Sequence, residues 1–189
     1  MNSFYSLTHH YKKDMWEIIA KNNIYLLSPY LFPCQKGKPL EKVTFAVAAG
    51  KKAYDIIARK KEFGQFYSQR IIYVFSQFVD MSDKCYPINI KGVEEQYYAI
   101  YNLKEFSEIN DGGQDYFLEP TFIGIKDTSV PIFCVTSNPC VFVSEEVKTA
   151  LLKNNLTNIK LSEYIGCTKK EYRKIKKSGT WPEVHVYKD

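Results

Sequence analysis

The chain has 189 residues, of which 45% are hydrophobic and 15% aromatic, and its formal net charge is +5 at pH 7. This composition excludes an intrinsically disordered chain, because disordered chains have few aromatic residues and a high net charge. Domains of this length are common and no Pro-, Gly- or Ser-rich linker divides the chain, so we predict a single domain over residues 1–189.

The predicted elements are mostly short strands, in chain order after an opening segment at residues 1–27 and a Pro-containing connection at 29–39. Short apolar runs and alternating patterns bounded by polar residues or glycine are typical of strands. The predicted strands outside the two helix-linked motifs are residues 43–48, 85–90, 96–100, 121–125, 132–135, 159–161 and 183–187.

Two stretches share the order strand, Ser, helix. The first strand ends at Ser68 and is followed by residues 71–78; the second ends at Ser144 and is followed by residues 147–152. A Ser at this point is typical of a helix N-cap, because its hydroxyl accepts a hydrogen bond from a backbone N–H of the first turn. We therefore predict a Ser-capped helix in each stretch.

The balance of strands and helices predicts the fold class. Strands outnumber helices, and stretches such as residues 121–143 contain several strands without an intervening helix. A regular parallel sheet needs a crossover, usually a helix, between successive strands. The pattern therefore favours the α+β class, with a mixed sheet of several short strands and a few amphipathic helices.

The cysteines indicate the redox state of the protein. The five cysteines are Cys34, Cys85, Cys134, Cys140 and Cys167, and no two form a Cys-x-x-Cys pair. This odd number and this spacing argue against a disulfide framework and against a zinc site. We predict reduced, mostly buried thiols.

Catalytic and cofactor motifs are missing from the sequence. The chain has three His residues and no glycine-rich dinucleotide or phosphate loop, and it lacks the Gly-x-Ser-x-Gly pattern of a serine nucleophile. We predict no enzymatic activity, no metal and no cofactor. One alternative stays open, an enzyme in which His185 approaches Cys134 in the folded chain.

The N-terminal residues indicate the compartment. Residues 1–11 include polar residues and a His pair, whereas a secretory signal needs an apolar run of about 7 or more residues. No window approaches the roughly 18 consecutive apolar residues of a membrane helix. These patterns predict a soluble, cytoplasmic protein without a membrane partner.

The net charge is concentrated near the C-terminus. Residues 169–177 contain six basic residues and one acidic residue, which leaves 20 of each sign in the rest of the chain. As a helix, this segment would turn Tyr172 and Ile175 toward the body and project its cations outward. The candidate partner-binding residues are Lys169, Lys170, Arg173, Lys174 and Lys177.

This cationic face has three open interpretations: a solvated surface, a contact surface for an acidic protein, or a contact surface for an RNA backbone. Nucleic-acid-binding proteins usually spread their basic residues over a whole face. The basic residues here are confined to one short segment, so a small nucleic-acid-binding module that uses residues 169–177 is the alternative and not the first hypothesis.

Two groups of short motifs carry a family resemblance. The later group comprises residues 96–103 after Gly92, residues 131–133, residues 141–148 and residues 155–161. The earlier group comprises Asp55-Ile56-Ile57 and Phe66-Tyr67-Ser68. These motifs resemble those of an immunity-protein family of bacterial polymorphic toxin systems, the family numbered eleven. Asn158 stands where that family more often has Gly, and Asn also tolerates a left-handed backbone conformation.

The resemblance implies a protein that binds and neutralises a cognate toxin by occluding or distorting its active site. It implies no catalytic residue and no cofactor, and the expected partner is the protein toxin. Residues 165–189 have no counterpart in the family pattern, so we predict that they form a basic C-terminal extension of an otherwise immunity-protein-like domain.

Overall fold

A computed structural model describes residues 2–21, 32–38, 43–60, 64–107, 122–124, 129–136, 138–180 and 182–188. Within these ranges the chain is mostly sheet with few helices. The elements are β1 (Asn2–His9), β2 (Glu17–Ala20), β3 (Thr44–Ala49), β4 (Ile56–Arg59), β5 (Gln65–Ser68), α1 (Gln69–Phe75), β6 (Cys85–Lys91), β7 (Tyr97–Ile100), β8 (Lys104–Phe106), β9 (Phe122–Ile123), β10 (Ile132–Val135), β11 (Val141–Ser144), α2 (Glu145–Lys153), β12 (Ile159–Gly166), α3 (Lys169–Ser178) and β13 (Val186–Lys188).

Six strands close into a barrel in the order β2-β3-β6-β7-β5-β4. In β6, buried Tyr86, Ile88 and Ile90 alternate with exposed residues, as expected when one face of a strand points into a filled interior. Phe45 and Phe66 meet edge to face inside, with ring centroids 5.0 Å apart. The barrel is therefore a packed core.

The other strands form a seven-stranded sheet in the order β13-β12-β1-β11-β10-β8, with β9 also paired to β12. β1 lies inside this sheet and pairs with β12 from Asn2 opposite Gly166 to His9 opposite Ile159. One face packs against α1 and α2, and the opposite face buries a cluster that includes Phe4, Phe133 and Phe142. The first strand thus pairs with a segment more than 150 residues away.

The two Ser-capped helices are confirmed. The Ser68 hydroxyl accepts a hydrogen bond from the Ile71 N–H, and the Ser144 hydroxyl accepts one from the Val147 N–H. Helix α1 starts directly after its cap and ends at Phe75, so the predicted end at residue 78 was too late. A turn follows there, because the N–H groups of residues 77 and 78 bond three residues back instead of four.

The strand predictions hold in outline, and parallel and antiparallel pairs are mixed as predicted, but the strands form two sheets and not one. Residues 121 and 125 of one predicted strand lie outside the described residues, and β9 covers only two residues of it. The described strands divide between the barrel and the seven-stranded sheet. Alternation along a strand indicates which side chains are buried, but not which strand becomes its hydrogen-bonded neighbour.

The prediction that all five thiols are reduced was also wrong. Cys34 and Cys134 form a disulfide with their Cα atoms 5.6 Å apart, although 100 residues separate them in sequence. Cys34 belongs to a loop held against residues 102 and 103, where Asn102 N–H donates to the Gln35 carbonyl and Leu103 N–H to the Pro33 carbonyl. This loop carries Cys34 to β10, so the pairing depends on tertiary contacts.

None of the described helices has the length and apolar content that a membrane-spanning helix needs.

Candidate partner-binding surface

Helix α3 begins at a capping box. The Thr168 hydroxyl accepts a hydrogen bond from the Glu171 N–H at 3.2 Å, and the Glu171 carboxylate accepts one from the Thr168 N–H at 2.7 Å. The helix ends at Gly179, whose φ of 68° lies in the left-handed region that glycine adopts without strain. Both ends of this charged segment are therefore fixed by local hydrogen bonds.

The orientation predicted for this helix is confirmed. Tyr172 is 4% exposed and packs with Ile165 and Cys167, and half-buried Ile175 joins the same cluster. All the predicted partner-binding residues are exposed, as is Lys176, which completes this set of cations: Lys169, Lys170, Arg173, Lys174, Lys176 and Lys177. We call this set the cationic face.

The predicted C-terminal extension is partly built into the seven-stranded sheet. β12 continues to Gly166, and β13 pairs with it so that Tyr187 lies opposite Leu161. The ammonium of Lys148, on α2, lies 4.4 Å from the ring centroids of both Tyr5 and Tyr187. Cation–π contacts of a buried lysine are stabilising, so they anchor β13 and help to fix the chain that follows α3.

A second surface feature lies at the N-terminal end of α1. The buried Asp55 carboxylate accepts hydrogen bonds from the Ser68 hydroxyl at 2.6 Å and from the Thr157 N–H at 2.7 Å. The Arg70 guanidinium donates to Asp55 at 2.9 Å and to the carbonyls of Asn154 and Asn155 at 3.0 Å. These bonds join the start of β4, the cap of α1 and the end of α2.

Two adjoining clefts of about 330 and 370 Å³ flank this arginine and share Gln69 and Arg70 in their walls. Tyr73 lines the second cleft and is 66% exposed. Tyr73 was not predicted as a site residue, because it lies within the apolar run at 71–75 and looked like a core residue. The signal that could have found it is the helical period, which places it on the exposed side of α1. Tyr and Arg side chains are frequent anchors of protein interfaces, so this region is a secondary contact candidate.

The motifs that carried the family resemblance meet at this same place. Asp55 and Ser68 come from the earlier group of motifs, and Thr157 and Asn158 from the later group. The Asn158 side chain accepts a hydrogen bond from the Ile56 N–H at 3.0 Å and donates one to the Ile56 carbonyl at 2.7 Å. Motifs about 100 residues apart thus form one hydrogen-bonded network.

The residues considered for catalysis do not form a site among the described residues. Cys134 is fully buried on β10 and disulfide-bonded to Cys34, whereas His185 is exposed beside β13. Burial raises the pKa of Cys140 to about 11, which disfavours its nucleophilic thiolate. In the described ranges no three His, Cys, Asp or Glu side chains converge as a metal site requires.

Comparison of the chain with protein-family models and with curated proteins gives no match.

Proposed function

We propose that this protein is an immunity protein that binds a cognate bacterial toxin and neutralises it by protein–protein contact. The resemblance of its motifs to the polymorphic-toxin immunity family numbered eleven motivates the proposal. One observation supports it most: the motifs behind the resemblance make direct contacts around Asp55 and Asn158.

The proposal includes a single α+β domain over residues 1–189. The barrel and the seven-stranded sheet are joined by the Asp55 network, by the Asn158 contacts with Ile56 and by the Cys34–Cys134 disulfide. These three connections between the two sheets favour one cooperatively folding unit over two independent domains.

The proposed compartment is the cytoplasm, where an immunity protein would meet a toxin that acts inside the cell. The disulfide is the observation that counts against it, because cytosolic thiols are usually kept reduced. Quantification of free thiols in protein that is acid-trapped from intact cells producing it naturally tests the proposal. Fully reduced Cys34 and Cys134 would agree with it, and a fully oxidised pair would place the protein in an oxidising compartment.

Growth rescue tests the immunity function. The toxin-like gene next to the gene for this chain is expressed in one bacterial host, with and without this chain. We expect growth to stop when the toxin is expressed alone and to recover when both are expressed, because the immunity protein occludes the toxin. Co-purification of the two proteins measures the complex directly.

The control for this experiment is an unrelated toxin expressed with the same chain, which should still stop growth. A toxic neighbour that is neither rescued nor co-purified would contradict the proposal. A nucleic-acid-binding module that uses residues 169–177 is the alternative, supported by the exposed cations of α3.

A further inference from the structure

We propose that the cationic face of α3 is a docking surface for an acidic patch on a protein partner. That this partner is a toxin rests on the proposed function; that it is an acidic protein surface rests on the structure of α3.

The cationic face is presented by a helix with little freedom to move. Its N-terminal capping box, its left-handed C-cap at Gly179 and the buried Tyr172 fix both its ends and its rotation about its axis. A side-chain set on a fixed helix face loses less entropy on binding than the same set on a flexible tail. The arrangement is therefore preorganised for contact.

Like-charge repulsion on this face opposes the stability of the helix, although Lys176 and Lys177 lie in the last turn, where the helix dipole favours cations. Lys169 and Arg173, Lys170 and Lys174, and Arg173 and Lys177 are like-charged pairs four residues apart, which repel each other on a helix surface.

The first turn of α3 also carries cations where the helix dipole disfavours them. Lys169 and Lys170 lie where the helix dipole is positive and favours acidic residues. The one acidic residue of the helix, Glu171, is bonded to the backbone and hydroxyl of Thr168. Departures from local stability rules are concentrated at functional sites, so this charge pattern indicates a partner outside the chain.

Five cations of this face have no acidic partner among the residues that the structure describes. In the part of the chain that the structure describes, Lys169, Lys170, Arg173, Lys174 and Lys177 form no ion pair. Their charge is therefore available to an external surface.

An acidic protein surface fits this face better than a nucleic acid does. A ten-residue helix is about 15 Å long, and outside residues 169–177 basic and acidic residues are equal in number. The cationic face is thus short, whereas a phosphate backbone is usually bound by basic residues spread over a whole face. The one aromatic residue of α3, Tyr172, is buried and offers no stacking surface to a base.

Charge reversal tests this surface in the full-length protein. The variant carries Lys170→Glu, Arg173→Glu and Lys174→Glu, and its binding to a fluorescein-labelled poly-glutamate peptide of about ten residues is followed by fluorescence anisotropy. We expect binding to weaken by about tenfold or more, because three attractive charges become repulsive. Added salt should weaken the wild-type complex as well.

Two further variants separate a specific surface from a general charge effect. The control carries Lys21→Glu, Lys51→Glu and Lys91→Glu, which changes the net charge equally at exposed positions on or beside barrel strands, and it should bind within about twofold of wild type. The milder variant Lys170→Gln, Arg173→Gln, Lys174→Gln keeps good helix formers. It should lose binding in the same direction, and circular dichroism checks that each variant is folded.

Three results would overturn the inference: no binding of wild type to the peptide, an equal loss in the barrel control, or tighter binding to an oligouridylate RNA that is lost in the α3 variant. The last result would favour the nucleic-acid alternative. In the growth assay, rescue by both wild type and the α3 variant would reject the surface but keep the immunity function. Peptide binding as expected without any rescue would keep the surface and reject the immunity function.

Discussion

Asn158 shows how one residue can join two parts of this fold. Its φ of 54° is left-handed, a conformation that costs most residues about 1–2 kcal/mol but that Asn adopts readily. Its side chain is fully buried and bonds both the N–H and the carbonyl of Ile56 at the start of β4. Asn158 thus adopts the left-handed conformation that Asn tolerates in place of Gly, and its side-chain amide has a second role that the sequence did not predict.

Replacement of Asn158 separates the two roles. Asn158→Ala should lower the free energy of unfolding by about 3 kcal/mol or more, because it leaves two buried backbone groups unpaired and puts Ala in a left-handed conformation. Asn158→Gly loses the same hydrogen bonds without the backbone strain, so its cost should be about 1 kcal/mol smaller. Urea denaturation measures both, and equal stabilities of the two variants would contradict the backbone role.

At the scale of single elements, local patterns predicted the helices well. Ser68, Ser144 and Thr168 are all N-caps whose hydroxyls accept first-turn hydrogen bonds. Only the first two were recognised in the sequence, although Thr168 followed by Glu171 has the capping-box spacing. In β1, by contrast, no pattern indicated a strand inside the seven-stranded sheet, because its partners β11 and β12 are remote in sequence.

The cap of α3 is testable on its own. Thr168→Ala should destabilise the helix by about 1 kcal/mol, because the Glu171 N–H loses its acceptor and the Glu171 carboxylate loses one donor. In the alanine variant, amide hydrogen exchange in residues 169–178 should become faster than in wild type, while exchange in α2 stays the same. Thr168→Ser should keep near wild-type protection in residues 169–178. Unchanged exchange in the alanine variant would show that packing of Tyr172 alone holds the helix.

At the scale of the whole molecule, a disulfide between Cys34 and Cys134 helps to join the barrel to the seven-stranded sheet. The Cys34 loop precedes the barrel strand β3, while Cys134 lies within β10 of the other sheet. The Lys36 ammonium also donates to the Leu103 carbonyl at 3.1 Å, so the disulfide is one of several contacts at this junction. The loop it closes includes every strand of the barrel except β2.

Reduction of this disulfide should destabilise the protein. A cross-link that closes a long loop typically contributes about 2–4 kcal/mol by restricting the unfolded chain. We expect dithiothreitol to lower the melting temperature of oxidised wild type by about 5–15 °C. Cys34→Ser should melt at the same temperature with and without reductant, whereas the control Cys85→Ser, which keeps the bond, should respond like wild type. An unchanged melting temperature of reduced wild type would contradict this role.

The sequence by itself determined the local features of this protein: the Ser-capped helices, most of the strands and the amphipathic, cationic α3 with Tyr172 turned inward. Each depends on residues within a few positions of one another, so helical period, strand alternation and capping chemistry are sufficient to predict it. Only the tertiary structure decided the barrel closure, the place of β1 in the sheet, the Cys34–Cys134 pair and the meeting of Asp55 with Thr157. These contacts join segments far apart in the chain, and their selection depends on the packing of the whole core.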